Sequence, residues 1–342
     1  MTLITIAGGG GPVGDVSSSS FTQKLIDVGI VLAQGAGTQP GNLTGMAGGT
    51  KISLSGSRTS ARITFAGGLA GSKADVSIWG MSQSLLNTLQ TLGIKLQQVK
   101  RNLLTVTAGD VVSGMSTVYI GDIVQAYGDY NAQPNVPMRF ECQTGASDAV
   151  IGIPVSSYTG ATSVVSIMSA IANAAGWGFV NNGVPESLVL SSPVFPGSAI
   201  EQVTRCKEHA HINAVLLPGS SIQQAYVLAI WPRYGFRPTP GGIPLISKLT
   251  GMDGYPSYAP QGGINVKVLY NPRIVFGGQI NVQSDIFTNQ SLAALKTPDS
   301  IWTVAKMDHA LDSLVPHGEW NTTIYAVVPN PSQPTLPPSS SQ

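Results

Sequence analysis

The stretch KISLSGSRTSARITFAGGLAGSKADVSIWG, residues 51–80, decides how this chain is read. Its apolar residues alternate with polar ones: Ile52 and Leu54, then Ala61, Ile63 and Phe65, then Ala74, Val76 and Ile78. A period of two sends every second side chain to one face, as in a half-buried β-strand, and the intervening glycines supply turns. LLTVTAG, STVYIGDIVQAYGDY and VPMRFECQTG continue the pattern. One helix interrupts it. In SQSLLNTLQTLG, Leu85, Leu86, Leu89 and Leu92 follow a Ser cap at Ser82 or Ser84, and Gly93 is the stop. Residues 51–150 therefore read as a β-barrel or sandwich with one packed helix.

Working outward, residues 1–50 are rich in Gly and Ser, with an apolar start, LITIA, and one candidate strand, IDVGIVLAQG. Residues 151–239 change character and read as a small α+β unit. TSVVSIMSAIANAAGWG predicts a helix from Thr162 to Ala175, ended by glycine. GSAIEQVTRCKEHAHI predicts a second, with Ile200, Val203 and Cys206 on one face and Ser198 and Glu201 matching a capping box in part. SLVLSS, INAVLLPG and AYVLAIWP are its strands. Residues 240–328 return to β with GGINVKVLYN, RIVFGGQINVQS, SIWTVAKMDHAL and EWNTTIYAVV, and Asn271-Pro272 marks a turn or an edge. The segment 329–342, PNPSQPTLPPSSSQ, with five prolines, is expected to be extended or disordered. The fold class is thus mainly β with a smaller α+β part, ordered β, α+β, β, tail.

Composition narrows the function. Charged residues are 10% of the 342 and the net charge is +1, against roughly a quarter charged in an ordinary soluble domain. Scattered cations leave no footprint for a phosphate backbone or an acidic membrane. Mean hydropathy is +0.17, yet no run of about 18 apolar residues could cross a bilayer as a helix. No basic n-region of a secretory signal opens the sequence. Cys142 and Cys206 cannot form a disulfide scaffold, so a reducing site of synthesis is the default. A surface this poor in charge is poorly soluble alone, so much of it is expected to be covered by partners.

Three motifs invite chemistry, and each has a plainer reading. Gly9 to Gly14 has the spacing G-x-G-x-x-G after LITIA, but no helix start or closing acidic residue follows, and a turn-rich segment is favoured. Cys206, Glu208, His209 and His211 carry metal-ligand chemistry, yet His209 and His211 are two apart, whereas paired ligands on a helix want a spacing of four. A polar helix end is favoured. Asp308, His309, Asp312, Ser313 and His317 would serve a hydrolase only with a nucleophile held by an oriented base, and neighbours on a strand face opposite sides. No catalytic, cofactor-binding or metal residue is therefore assigned. Trp79, Trp177, Trp231, Trp302 and Trp320 lack interleaved basic residues and read as core, with interface anchoring second.

Ordered motifs carry a family resemblance. VYIGDIVQAYGDYNAQPNVPMRFECQTG (118–145), SPVFPGSAIEQVTRCKEHAHINAVLL and LISKLTGMDGYPSYAPQGGINVKVLYNPRIVFGGQINVQS (245–284) resemble baseplate or tail hub proteins of tailed bacteriophages, and LDSLVPHGEWNTTIYA continues the match. The resemblance spans roughly residues 51–328 and implies a homotrimer whose subunits each give two tail-tube-like β domains flanking the α+β domain. Three copies would present a pseudo-sixfold ring to a hexameric tail tube and a threefold face to a trimeric spike. The genome would pass through the lumen without sequence-specific contact. Implied partners are the chain itself, the tail-tube protein, the spike and baseplate wedge or other tail components, in a virion assembled in the host cytoplasm. Asn271, Pro272 and Arg273 are its candidate interaction residues; cofactors are none, and no catalytic residues transfer. The alternatives are an enzyme, using the Gly9–Gly14 loop or the His309–His317 cluster, and a secretion-system spike base of the same architecture.

Overall fold

A computed structural model describes residues 22–32, 50–69, 71–90, 102–112, 114–219, 224–259, 262–286 and 300–328. The Gly9–Gly14 loop, Leu92, Gly93 and the Pro-rich segment 329–342 lie outside the described residues. The chain begins with β1 (Lys24–Leu32), β2 (Thr50–Leu54), β3 (Thr59–Phe65), β4 (Ser72–Ile78) and a short helix, α1 (Gln83–Leu89). Then come β5 (Leu103–Asp110), β6 (Gly114–Gly128), β7 (Met138–Gln143) and α2 (Ala146–Val150). The middle holds β8 (Ser156–Ser157), β9 (Ala161–Ser163), α3 (Val164–Ala175), β10 (Gly178–Asn181), β11 (Val189–Ser191) and β12 (Val194–Phe195), followed by α4 (Ala199–Ala210), β13 (Ile212–Pro218) and β14 (Tyr226–Pro232). The last part is β15 (Leu245–Ile246), β16 (Met252–Tyr258), β17 (Ile264–Leu269), β18 (Gln279–Val282), β19 (Ile301–Ser313) and β20 (Trp320–Val327).

The mainly β class expected from the alternation is what the chain adopts, and its two β regions share one sheet. Thirteen strands are connected, in the order β16-β17-β20-β19-β3-β4-β7-β6-β5-β1-β2, with β18 paired to β19 and β15 to β18. The bridge between early and late strands is β3 against β19, antiparallel from Thr59 opposite Ser313 to Phe65 opposite Met307. The sheet curls back on itself, and Ser313 Oγ donates to the Lys24 carbonyl on β1 at 2.9 Å. β1, which precedes residue 51, is an interior strand paired with β2 and β5. Strict alternation of burial in β3 and β4 turns Ala61, Ile63, Phe65, Ala74, Val76 and Ile78 inward. They meet Ile264, Val266, Val268, Leu311 and Ile324 from the late strands in a single core.

β6 is long because it serves two partners. Its first half pairs with β5 and its second with β7, the change falling at Asp122, which lies opposite both Leu103 and Gln143. A register shift between Ile123 and Gln125 bends the strand there. RIVFGGQINVQS, read as one strand, differs from this expectation: Ile274 N–H closes a turn on the Asn271 carbonyl and Gly278 N–H another on Val275, so the ladder starts only at Gln279.

The α+β unit packs α3 and α4 on a separate sheet, β10-β14-β13, with β10 parallel and β13 antiparallel to β14. Its core also takes in Val31, Leu103 and Ile120 from the large sheet. α3 starts two residues later than the periodicity predicts, because Ala161–Ser163 pair with β11. The capping box on α4 is complete: Glu201 N–H donates to Ser198 Oγ at 3.3 Å and Ser198 N–H to Glu201 Oε2 at 3.1 Å. The apolar run after Ser198, which made the match look partial in the sequence, is the helix face that enters the core.

The two units are joined by a buried carboxylate. Asp122 accepts from Ser147 N–H at 3.1 Å, Ser147 Oγ at 3.0 Å and Tyr226 Oη at 3.2 Å, linking β6, α2 and β14. Gly145 caps α2 at φ 69, and a Cβ there would press on Leu216 and Ile200. Asp122, in the stretch Gly121-Asp122-Ile123, and Gly145, at the end of Cys142-Gln143-Thr144-Gly145, are therefore junction residues. Asp122→Ala strands three buried donors and is expected to cost about 3 kcal/mol or more, while Tyr226→Phe removes one and costs about 1 kcal/mol. Calorimetric unfolding of the two variants checks the order; equal losses would remove Asp122 from its role as the shared acceptor.

Candidate interaction surfaces

Among the described residues, the Cys206–His211 and Asp308–His317 groups are not assembled into a site. Cys206 is turned into the core of the α+β unit, and burial pushes its thiol up to about 12. His209 is exposed and stands edge-on to the Phe195 ring, while His211 takes the left-handed cap position at the end of α4. Among the described residues no group of three or more His, Cys, Asp or Glu could hold a metal. Strand alternation separates the late cluster in the same way. His309 and Ser313 point inward, Asp308 and Asp312 outward, and His317 is exposed on the turn that follows.

His309 belongs to an aromatic column. Its ring stands edge-on to Phe65 and to Tyr270, 5.6 Å from each, and Tyr270 meets Trp320 at 5.9 Å. His309 Nδ1 is 2.7 Å from Thr322 Oγ1 and Tyr270 Oη is 3.0 Å from Ser116 Oγ. Polar contacts inside an apolar core thus tie β19 to β20 and the Tyr270 ring, just after β17, to β6, and Phe65 of β3 joins through ring contact with His309. Trp177, Trp231 and Trp302 are buried, and Trp79 and Trp320 half-buried, so these rings make no stacking platform.

Charge is gathered on the outer face of β19, β3, β4 and β7. Arg62 lies opposite Asp75, which lies opposite Glu141; one step along, Thr64, Lys73 and Gln143 are in line. Arg62 pairs with Asp312 at 2.8 Å and with Glu319 at 3.3 Å, Lys306 with Asp308 at 2.8 Å and Arg139 with Asp129 at 2.8 Å. Burial alone would raise the Asp312 carboxyl, but bonds from Arg62, Ser60 and the Glu319 N–H hold it below its ordinary value. The face is polar and mixed in sign, and Arg62, Lys306 and Arg139 are held in ion pairs.

The Asn271-Pro272-Arg273 turn presents Pro272 to solvent. Asn271 Oδ1 accepts from the Arg273 N–H at 3.0 Å, and the Arg273 guanidinium reaches the carbonyls of Pro240, Gly241 and Gly242. Arg273 thereby ties two loops of its own chain together. Sequence reasoning missed the apolar residues at hairpin tips and corners: Val111 is 80% exposed, Val112 73% and Leu249 85%. Their only sequence signal is an apolar residue inside a turn.

A long curled antiparallel sheet carrying an α+β unit is the fold of phage tail and VgrG-type proteins. The 43 kDa tail protein of prophage MuSo2 from Shewanella oneidensis superposes with a TM-score of 0.54 at 9% identity, over 90% of this chain and 97% of that one. A tail protein from Neisseria meningitidis MC58 gives 0.52 at 9% identity, over 89% and 96%. The Francisella PdpA–VgrG complex gives 0.56 at 7% identity, over 94% of this chain and 60% of that one. No curated protein sequence matches. The family model described as baseplate hub gp41 matches residues 58–295, and the chain belongs to that family, a structural component of the phage tail and baseplate.

His309 provides a pH test of the column. Burial pulls its pKa down to about 4 from an ordinary 6.5, the nearby Asp308 charge opposing this in part. The unfolded chain therefore binds the proton more readily than the folded one between those values. Stability is full above pH 6.5 and falls as pH drops toward 4, by about 3 kcal/mol for this residue. His309→Gln should flatten that part of a denaturant-midpoint profile; an unchanged slope would place the proton uptake elsewhere.

Proposed function

We propose that this baseplate hub protein works as a homotrimer that joins the hexameric tail tube to a trimeric spike and helps form the channel for the genome. It acts by symmetric contact and not by chemistry. The two β regions, 51–150 and 240–328, would supply two tube-like units per copy, so that three copies offer six-fold pseudosymmetry to the tube. The carrying observation is the outer face of β19, β3, β4 and β7, where Arg62, Lys73 and Arg139 are interleaved with Asp75, Glu141, Asp308 and Asp312. A lumen wall of this kind offers no run of cations to trap a phosphate chain.

Sparse charge elsewhere and apolar residues at tips and corners suit surfaces covered by other copies, the tube or the spike. The Asn271-Pro272-Arg273 turn is proposed as one such contact, Pro272 being its exposed member and Arg273 the residue that holds its shape. The virion tail is the site of action. Mass photometry of the purified chain at low salt is expected to find a species of three copies, and class averages of it a ring with an open centre. A stable monomer at micromolar concentration would overturn the reading.

A further inference from the structure

Between Glu208 and Asp253 the chain has no acidic residue, yet it carries Arg233, Arg237 and Lys248. Arg233 lies on the wall of an open groove of about 420 Å³ in the α+β unit. The loop after β10 forms one side; the end of α4, the start of β13 and the end of β14 form the other. Pro185, Leu188 and Pro232 give it accessible apolar surface over the buried Val184 and Ile212, and His211 and Tyr234 stand beside Arg233.

The Arg233 guanidinium makes two weak contacts, to His211 Nδ1 at 3.5 Å and above the Tyr234 ring at 5.7 Å. Among the described residues no carboxylate is bonded to it. Glu186, on the groove's own loop, accepts from Ser163 Oγ at 2.7 Å, and Glu208 is exposed on α4 next to Lys207. Arg and Tyr beside an apolar floor are the residue types that concentrate binding energy at protein interfaces.

We propose that this groove takes an extended segment of a partner protein that carries an acidic side chain next to a bulky apolar one. The apolar side chain covers Pro185, Leu188 and Pro232, and the carboxylate forms a paired hydrogen bond with Arg233, whose planar fork matches it. A single guanidinium at the rim of an apolar groove is too small a footprint for a nucleic-acid backbone. The groove shares no residue with the sheet face assigned to the lumen, so trimer formation and segment binding succeed or fail separately.

Anisotropy titration of the full chain tests this with labelled, end-blocked hexapeptides: alternating Leu and Glu, alternating Leu and Lys, and alternating Ser and Glu. The Leu/Glu peptide is expected to bind most tightly. Arg233→Gln should weaken it about tenfold, the loss of one charge-assisted bond, and Tyr234→Ala several-fold, both with melting unchanged. Equal binding of the Leu/Lys peptide, or no loss in Arg233→Gln, would overturn the proposal. So would self-association that the peptide displaces and Arg233→Gln abolishes, since that gives the groove to a second copy. Stronger competition by an oligonucleotide would likewise overturn it.

Discussion

The pairing of β3 with β19 is the constraint on which the rest of the chain depends. Residues as far apart as Arg62 and Asp312 meet across it. Closing so long a loop is an entropic cost that only cooperative burial can offset, and the burial is there: Ile63 and His309 lie side by side in the ladder, Phe65 stacks edge-on against His309, and Tyr270 and Trp320 extend the column. Polar bonds to Thr322 and Ser116 fix those rings in place. Without the ladder, β16 to β20 would keep their hairpins and lose the inner face they pack on.

The α+β unit depends on the same sheet at one remove. Asp122 sits where β6 changes partner, so the bend that allows one strand to pair with both β5 and β7 also aims a carboxylate at α2 and β14. A buried acceptor with several donors is costly to disturb, which favours one fixed placement of the unit over a loose tether.

Local periodicity made the strands legible: alternating Ala61, Ile63 and Phe65 could only be a half-buried strand, and Leu85, Leu86 and Leu89 behind Ser82 only a helix. Partners were not legible, because alternation says which face is buried and never against what. The β3–β19 ladder therefore had no signal, and neither did the inclusion of β1 in the interior of the sheet. Ile274, Val275 and Phe276 looked like strand residues because they are apolar and β-branched or aromatic; the Asn271 turn overrode that preference. The interaction surfaces were the least legible. Low charge raised the expectation of covered surface without saying where; the positions of Val111, Val112 and Leu249 follow from turn geometry, and the Arg233 groove from the meeting of three chain segments distant in sequence.

The central claim is that early and late strands form one cooperative unit through β3 and β19. Native-state hydrogen exchange across these two strands tests it most directly. The account predicts that backbone amides of β3, β19 and β20 exchange only through global unfolding, with one common free energy and one denaturant dependence. A separate, lower-energy opening that frees β16 to β20 while β3 to β7 stay protected would contradict it.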